Sequence, residues 1–144
     1  MIQFTVPGNP VPKPRMTKRD VWMRRPCVLA YRDYCDRIRE AATGDRMKKM
    51  DADEFVEIVV LAMVPIPRSW SLKKRMAAAG TLHRSQKDTD NILKAVKDAL
   101  FGQDARIAID HVAKIWWSEP STRILLLREP GKWNRQIFKD NLLR

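Results

Sequence analysis

Apolar and polar positions alternate from Ile2 to Val6, the pattern of a short strand. The next residues, PGNPVPKPR at 7–15, hold four prolines. Proline fixes φ and removes a backbone donor, so this stretch is predicted as an extended loop. Within residues 28–42, Tyr31, Tyr34, Cys35, Ile38, Ala41 and Ala42 recur at helical spacing, which predicts a helix with one buried face. Gly44 is placed to stop it. A charged linker, 45–54, leads into Phe55–Val64. That run is almost continuously apolar and rich in valine, as in a strand covered on both faces. Pro65 and Pro67 end it. Ser69 or Ser71 is placed to start a short helix reaching Ala79, with Gly80 after it.

A polar, basic stretch at 81–87 precedes the best-defined helix, 88–101, which Gly102 closes. Residues 108–117 and 122–128 each read as a strand, and Ser118 to Ser121 have the composition of a turn. A last short helix is expected in 131–144. The order is strand, helix, strand, helix, helix, strand, strand. It predicts a single α/β domain over residues 1–144, a small mixed sheet packed by helices, with the strand order left open.

The helix at 88–101 is two-faced. At about 100° per residue, with Asp90 at zero, Lys94 falls near ~40°, Asp98 near ~80° and Lys97 near ~−20°. Ile92, Leu93, Ala95, Val96, Ala99 and Leu100 fill the opposite arc. Asp88 would fall on the apolar side, so it is expected to precede the first turn. Part of this pattern has a purely structural explanation. Asp88 or Thr89 suits an N-cap, acids in the first turn suit the helix dipole, and Asp90 with Lys94 is an ordinary i, i+4 pair.

Charge changes the picture. The 144 residues hold 28 Lys and Arg against 17 Asp and Glu, a net +11. Such an excess points to a polyanionic partner. Two zones are nearly free of acids. Residues 13–25 carry Lys13, Arg15, Lys18, Arg19, Arg24 and Arg25 against the single Asp20. Residues 68–87 carry Arg68, Lys73, Lys74, Arg75, Arg84 and Lys87 against none, and run straight into Asp88. Lys13, Arg15, Lys18, Arg19, Lys73, Lys74, Arg75, Arg84 and Lys87 are the candidate DNA contacts. No run of about 18 apolar residues exists, so no membrane-spanning helix is expected. The N-terminus lacks the apolar segment of a signal peptide, and Cys27 and Cys35 make no disulfide framework. A cytoplasmic protein with two thiols is expected.

Two carboxylates at a helix start in a basic protein suit phosphodiester chemistry. Mg²⁺ takes oxygen ligands, commonly one or two carboxylates with water and phosphate, and Asp88 and Asp90 supply that type. Lys94, one turn on, is placed to steady phosphate charge. Asp104, in the loop after the helix, is a further candidate ligand, with Asp110 as its rival.

The longer string from Asp88 to Leu100, DTDNILKAVKDAL, resembles the D-x-D-N-x-x-K-x-x-x-D-A-L signature of RusA-type Holliday junction resolvases. The VPGNPVPKPR run at 6–15 is similar to phage-borne members. Asp104-Ala105-Arg106-Ile107, followed by Lys114, resembles the family's D-x-x-V stretch and its next strand. Together these cover most of residues 2–117.

The resemblance implies a homodimeric α/β endonuclease that makes paired, Mg²⁺-dependent nicks in opposing strands of a four-way DNA junction, in recombination and repair. Mn²⁺ is the alternative ion. The setting implied is bacterial or phage. By position, Asp88, Asp90 and Asp104 would be the metal-binding catalytic carboxylates, and Lys94 the essential basic catalytic residue beside them. Asp98 would support Lys94 or the helix packing. The sequence departs from the family at Gln103, where a second acid often stands, and at Ile92, usually leucine.

Several aromatic and histidine positions have two readings. Trp22 and Trp70, inside the basic zones, suit either stacking on unpaired bases or a core or dimer contact. Trp116 and Trp117 should face opposite sides of a strand. His83 reads as a surface histidine with phosphate contact as the alternative. His111 reads as structural, and Tyr31, Tyr34 and Cys35 as core. The rival to the whole enzymatic reading is a non-catalytic nucleic-acid-binding protein whose acids are only helix caps. A nuclease for other branched DNA is the third possibility.

Overall fold

The computed structural model describes residues 1–84, 88–102 and 106–131. Seven regular elements follow in the order β1 (Ile2–Pro7), α1 (Pro26–Thr43), β2 (Glu57–Pro65), α2 (Leu72–Ala78), α3 (Thr89–Phe101), β3 (Ile109–Trp117) and β4 (Ser121–Leu127). Two short 3₁₀ turns, Lys18–Val21 and Ala52–Glu54, punctuate the loops. The helix expected in 131–144 lies outside the described residues from 132 onward.

The sheet order is β1-β4-β2-β3. β2 runs parallel to β3 and antiparallel to β4, and β4 runs antiparallel to β1. The parallel pair is joined through α2 and α3, as a parallel connection requires a crossover. The turn composition at Ser118–Pro120 correctly marks a reversal of the chain. It makes no hairpin, however, because β2 lies between β3 and β4.

β2 is the central strand, and its residues from Glu57 to Val64 are all buried. Ile58, Val60 and Ala62 face one side with Val6, Ile124 and Leu126, under α1 and α3. Val59, Leu61 and Met63 face the other with Ile115 and Leu125. A period of two on a strand buried on both sides produces the unbroken apolar run seen in the sequence.

Each helix has a local reason to begin and end. Pro26 opens α1, where its missing N–H costs nothing. Gly44 closes it in the left-handed conformation, its N–H donating to the Glu40 carbonyl at 2.8 Å. Val28, Tyr31, Tyr34, Cys35 and Ile38 form the buried stripe. The Tyr34 hydroxyl is bonded to that of Thr122 on β4, so helix and sheet are joined by a polar contact inside the core. Burial pushes the Tyr31, Tyr34 and Cys35 groups up in pKa. Ser71 caps α2 by accepting from the Lys74 N–H at 3.3 Å.

Candidate active site

α3 carries the sequence's chemistry, and its apolar stripe fixes which way that chemistry faces. Ile92, Leu93, Ala95, Val96, Ala99 and Leu100 are buried. The polar arc is thereby turned outward. Asp88 is the N-cap, and its Oδ1 accepts from the Asp90 N–H at 3.1 Å. Asp90 sits in the first turn, and its carboxylate meets the Lys94 ammonium at 2.9 Å, with side chains 63% and 56% exposed. The hydrogen bond to Asp90, reinforced by its charge, raises the Lys94 pKa, so this side chain is a cation at neutral pH. Two carboxylates and one ammonium are thus accessible within about two turns.

These residues fit a hard divalent cation in kind: both carboxylates are exposed oxygen donors. Among the described residues no cluster of three metal-ligating side chains occurs. Asp104 and Gln103 lie outside the described residues. Asp110, the rival to Asp104, pairs with Lys97 at 2.8 Å at the start of β3.

Asp98, one turn beyond Lys94, does not pair with it. Its carboxylate meets the Lys13 ammonium instead. The Lys13 N–H also donates to the Asn91 carbonyl at 3.0 Å. The proline-rich loop is therefore fastened along α3 at two points. At its other end Gly8 turns at φ 94° and its N–H donates to the Pro120 carbonyl at 3.1 Å. The Arg37 guanidinium donates to the Pro7 carbonyl and fills the space a Cβ at Gly8 would need.

The remaining basic candidates divide. Arg15, Lys18 and Arg19 are exposed, and so are Lys73, Lys74 and Arg84. Arg75 is half-buried beside an open cavity of about 490 Å³ that Arg68 also lines. Lys87 lies outside the described residues. The second basic zone thus reaches α3 through residues of which only the start, to Arg84, is described.

One sequence expectation is corrected. His83 is not a surface histidine: it is 6% exposed. Leu82 forms a bridge with Ile115, and the His83 N–H donates to the Lys114 carbonyl at 2.9 Å, so this segment lies along the β3 edge. Its ring then packs on Trp116, with centroids 4.2 Å apart. Trp70 joins the same group, 5.1 Å from Trp116, with the Lys74 ammonium 4.0 Å above its ring. Of the two readings of Trp70, packing is the one found. Trp22 takes the opposite course and is 70% exposed.

Two features escaped the sequence reading. One is the Lys13–Asp98 pair, whose members stand 85 positions apart. The other is Asp20, read there only as the single acid of its zone. It is buried and accepts from Arg25 Nε at 2.8 Å, Arg25 Nη2 at 2.7 Å and the Thr17 N–H at 2.6 Å. The Arg25 guanidinium and the Thr17 N–H hold its carboxyl well below the usual range. The T-K-R-D spacing at 17–20, an acid at the third position after a capping threonine, was the available signal.

The start of α3 thus presents an exposed carboxylate pair with an adjacent cation, on an α/β scaffold flanked by basic loops. The family model for endodeoxyribonuclease RusA matches residues 7–126. The chain belongs to the RusA family, and with it to the endodeoxyribonucleases that resolve Holliday junctions. The non-catalytic binding reading is thereby set aside. Nucleases of this family generally use divalent metal ions. Comparison with curated proteins and with solved structures found no significant match. No helix among the described residues is long and apolar enough to cross a membrane.

Proposed function

We propose that this chain resolves four-way DNA junctions by paired, Mg²⁺-dependent nicks in opposing strands, with Mn²⁺ as the substitute ion. Residues 1–144 act as one endonuclease domain, encoded by a bacterium or a phage, in recombination and repair in the bacterial cytoplasm. The observation that carries this reading is the exposed Asp88, Asp90 and Lys94 group at the start of α3, in a chain of the RusA family.

Asp88 and Asp90 would hold the cation, with Asp104 as the third carboxylate. A bound divalent ion supplies charge neutralisation at the phosphate and lowers the pKa of water. Lys94 sits where a phosphate oxygen approaching Asp90 would meet an ammonium, and so stabilises charge that grows during cleavage. Free carboxylates repel DNA. The exposed cations Arg15, Lys18, Arg19, Lys73, Lys74 and Arg84, with Lys13, Arg75 and Lys87, offset that repulsion and bring the backbone to α3. A four-way junction has approximate two-fold symmetry, so a homodimer with two equivalent sites matches two opposed cuts.

The test is cleavage of an end-labelled synthetic four-way junction beside its matched linear duplex, with and without Mg²⁺. Symmetric nicks in the junction alone, only with the metal, are expected. Cleavage of flaps or forks with an intact four-way junction would transfer the activity to other branched DNA.

A further inference from the structure

The segment between the proline-rich loop and α1 exposes four large apolar side chains, Met16, Met23, Val21 and Trp22, the last two by far the most. Val21 is 85% exposed and Trp22 is 70% exposed. They stand at the end of the 3₁₀ turn Lys18–Val21. Exposed tips are common in loose loops, but this one is not loose. Asp20, 2% exposed, receives the Arg25 fork and the Thr17 N–H, and the Thr17 hydroxyl adds a bond at 3.1 Å. Arg25 also donates to the Arg15 carbonyl at 3.0 Å, and Arg32 on α1 donates to the Asp20 carbonyl at 2.7 Å. The Trp22 N–H is bonded to the Arg19 carbonyl at 3.1 Å. A buried, fully bonded acid thus holds two hydrophobic side chains in water.

The surroundings specify the partner. Lys18, Arg19 and Arg24 are exposed around the tip, and Asp20, the zone's one acid, is buried against Arg25. An apolar point inside a cationic rim complements unstacked bases framed by phosphates. The same loop is fastened to the catalytic helix through Lys13.

We infer that Val21 and Trp22 form a rigid wedge that enters the opening at a DNA branch point and stacks on the bases exposed there. Pre-organisation by the Asp20 clasp lowers the entropy lost on insertion. Apolar wedges between base steps and aromatic stacking on single-stranded bases are both well-founded modes. A continuous duplex offers no such opening, so the wedge selects for branched DNA. The inference rests on the proposed junction endonuclease activity.

The experiment compares wild type, Trp22→Ala and Trp22→Phe on a four-way junction carrying 2-aminopurine at the branch point and on a matched duplex. Wild-type binding should change the 2-aminopurine emission. Trp22→Ala should remove that change and weaken junction binding roughly ten-fold or more, the scale of one lost stacked base, with duplex affinity unchanged. Trp22→Phe should restore much of both. Circular dichroism confirms folding, and sedimentation records the oligomeric state. Equal loss on junction and duplex, unchanged emission, or conversion of a dimer to monomers would overturn the wedge, the last by giving the tip to a second copy. If the wild type neither binds nor cuts junctions, the functional reading itself fails, whatever Trp22 does.

Discussion

Lys13 and Asp98 close a contact between the proline-rich loop and α3, ammonium to carboxylate. Because the Lys13 N–H also reaches the Asn91 carbonyl, this residue grips α3 along two turns. The pair is half-buried, with side chains 28% and 23% exposed. Its consequence is positional: the loop that carries Arg15, Lys18, Arg19 and Trp22 starts from a fixed point on the helix of Asp88, Asp90 and Lys94.

That arrangement makes an unusual prediction for Asp98→Asn. Removing an acid from a DNA-binding surface ordinarily tightens binding. Here it should weaken junction affinity, because the loop loses its anchor. Lys13→Met should do the same, and the double variant should be no worse than either. Denaturant titrations of the four proteins should give a coupling of about 1 kcal/mol, the top of the surface-pair range, as suits a half-buried pair. Tighter binding by Asp98→Asn would reduce the pair to a surface contact.

Asp20 predicts a pH dependence. Its carboxyl is held below the ordinary range by Arg25 and Thr17 in the folded state. A depressed folded pKa stabilises the protein above the unfolded pKa near 4 and loses that contribution as pH falls below it. Asp20→Asn should therefore be less stable than wild type at pH 7, with the gap narrowing below about pH 4. Denaturant midpoints for both proteins across pH 7 to 3 measure it. A gap that stays constant would show that the charge on Asp20 contributes nothing.

Tyr34 and Thr122 predict a stability effect away from the site. Their hydroxyls are bonded to each other in the core, between α1 and β4. Tyr34→Phe strands the Thr122 hydroxyl and should cost about 1–2 kcal/mol. Adding Thr122→Val removes the stranded group, so the double variant should recover part of that loss. Thermal unfolding of the three proteins checks both statements, and junction cleavage at a temperature where all are folded should be unaffected.

The local parts of this fold were legible because each rests on neighbours in sequence. The wheel of α3 placed Asp90 and Lys94 on the outer face because Ile92, Val96 and Ala99 left no other solution. Gly44 stopped α1 through its backbone freedom, and Pro65 marked the end of β2. The sheet order was not legible. Nothing local says that β4, joined to β3 by a short turn, passes β2 and pairs on its far side. His83 was misplaced for a related reason. A polar, basic string looks like surface until its backbone lies along β3 and its ring meets Trp116. The site divided in the same way. Asp88, Asp90 and Lys94 lie within one stretch of helix and were found together. Lys13 with Asp98, and the clasp from Asp20 to Arg32, depend on tertiary contact. Asp104 and Lys87 lie outside the described residues; Asp104 rests on its loop position and the family signature, and Lys87 on the basic zone at 68–87.

The central claim is that the carboxylates at the start of α3 perform cleavage and are not merely helix caps. Asp90→Asn tests it most directly, because the amide keeps the size of the side chain, and Asp88 still caps the helix. Binding and Mg²⁺-dependent nicking of the same labelled four-way junction should be measured side by side for wild type and variant. The account predicts junction affinity at least equal to wild type and nicking reduced roughly 100-fold or more, the scale of losing one preorganised charge-stabilising group. Nicking at the wild-type rate by Asp90→Asn, with binding intact, would contradict it and leave Asp90 as no more than the partner of Lys94.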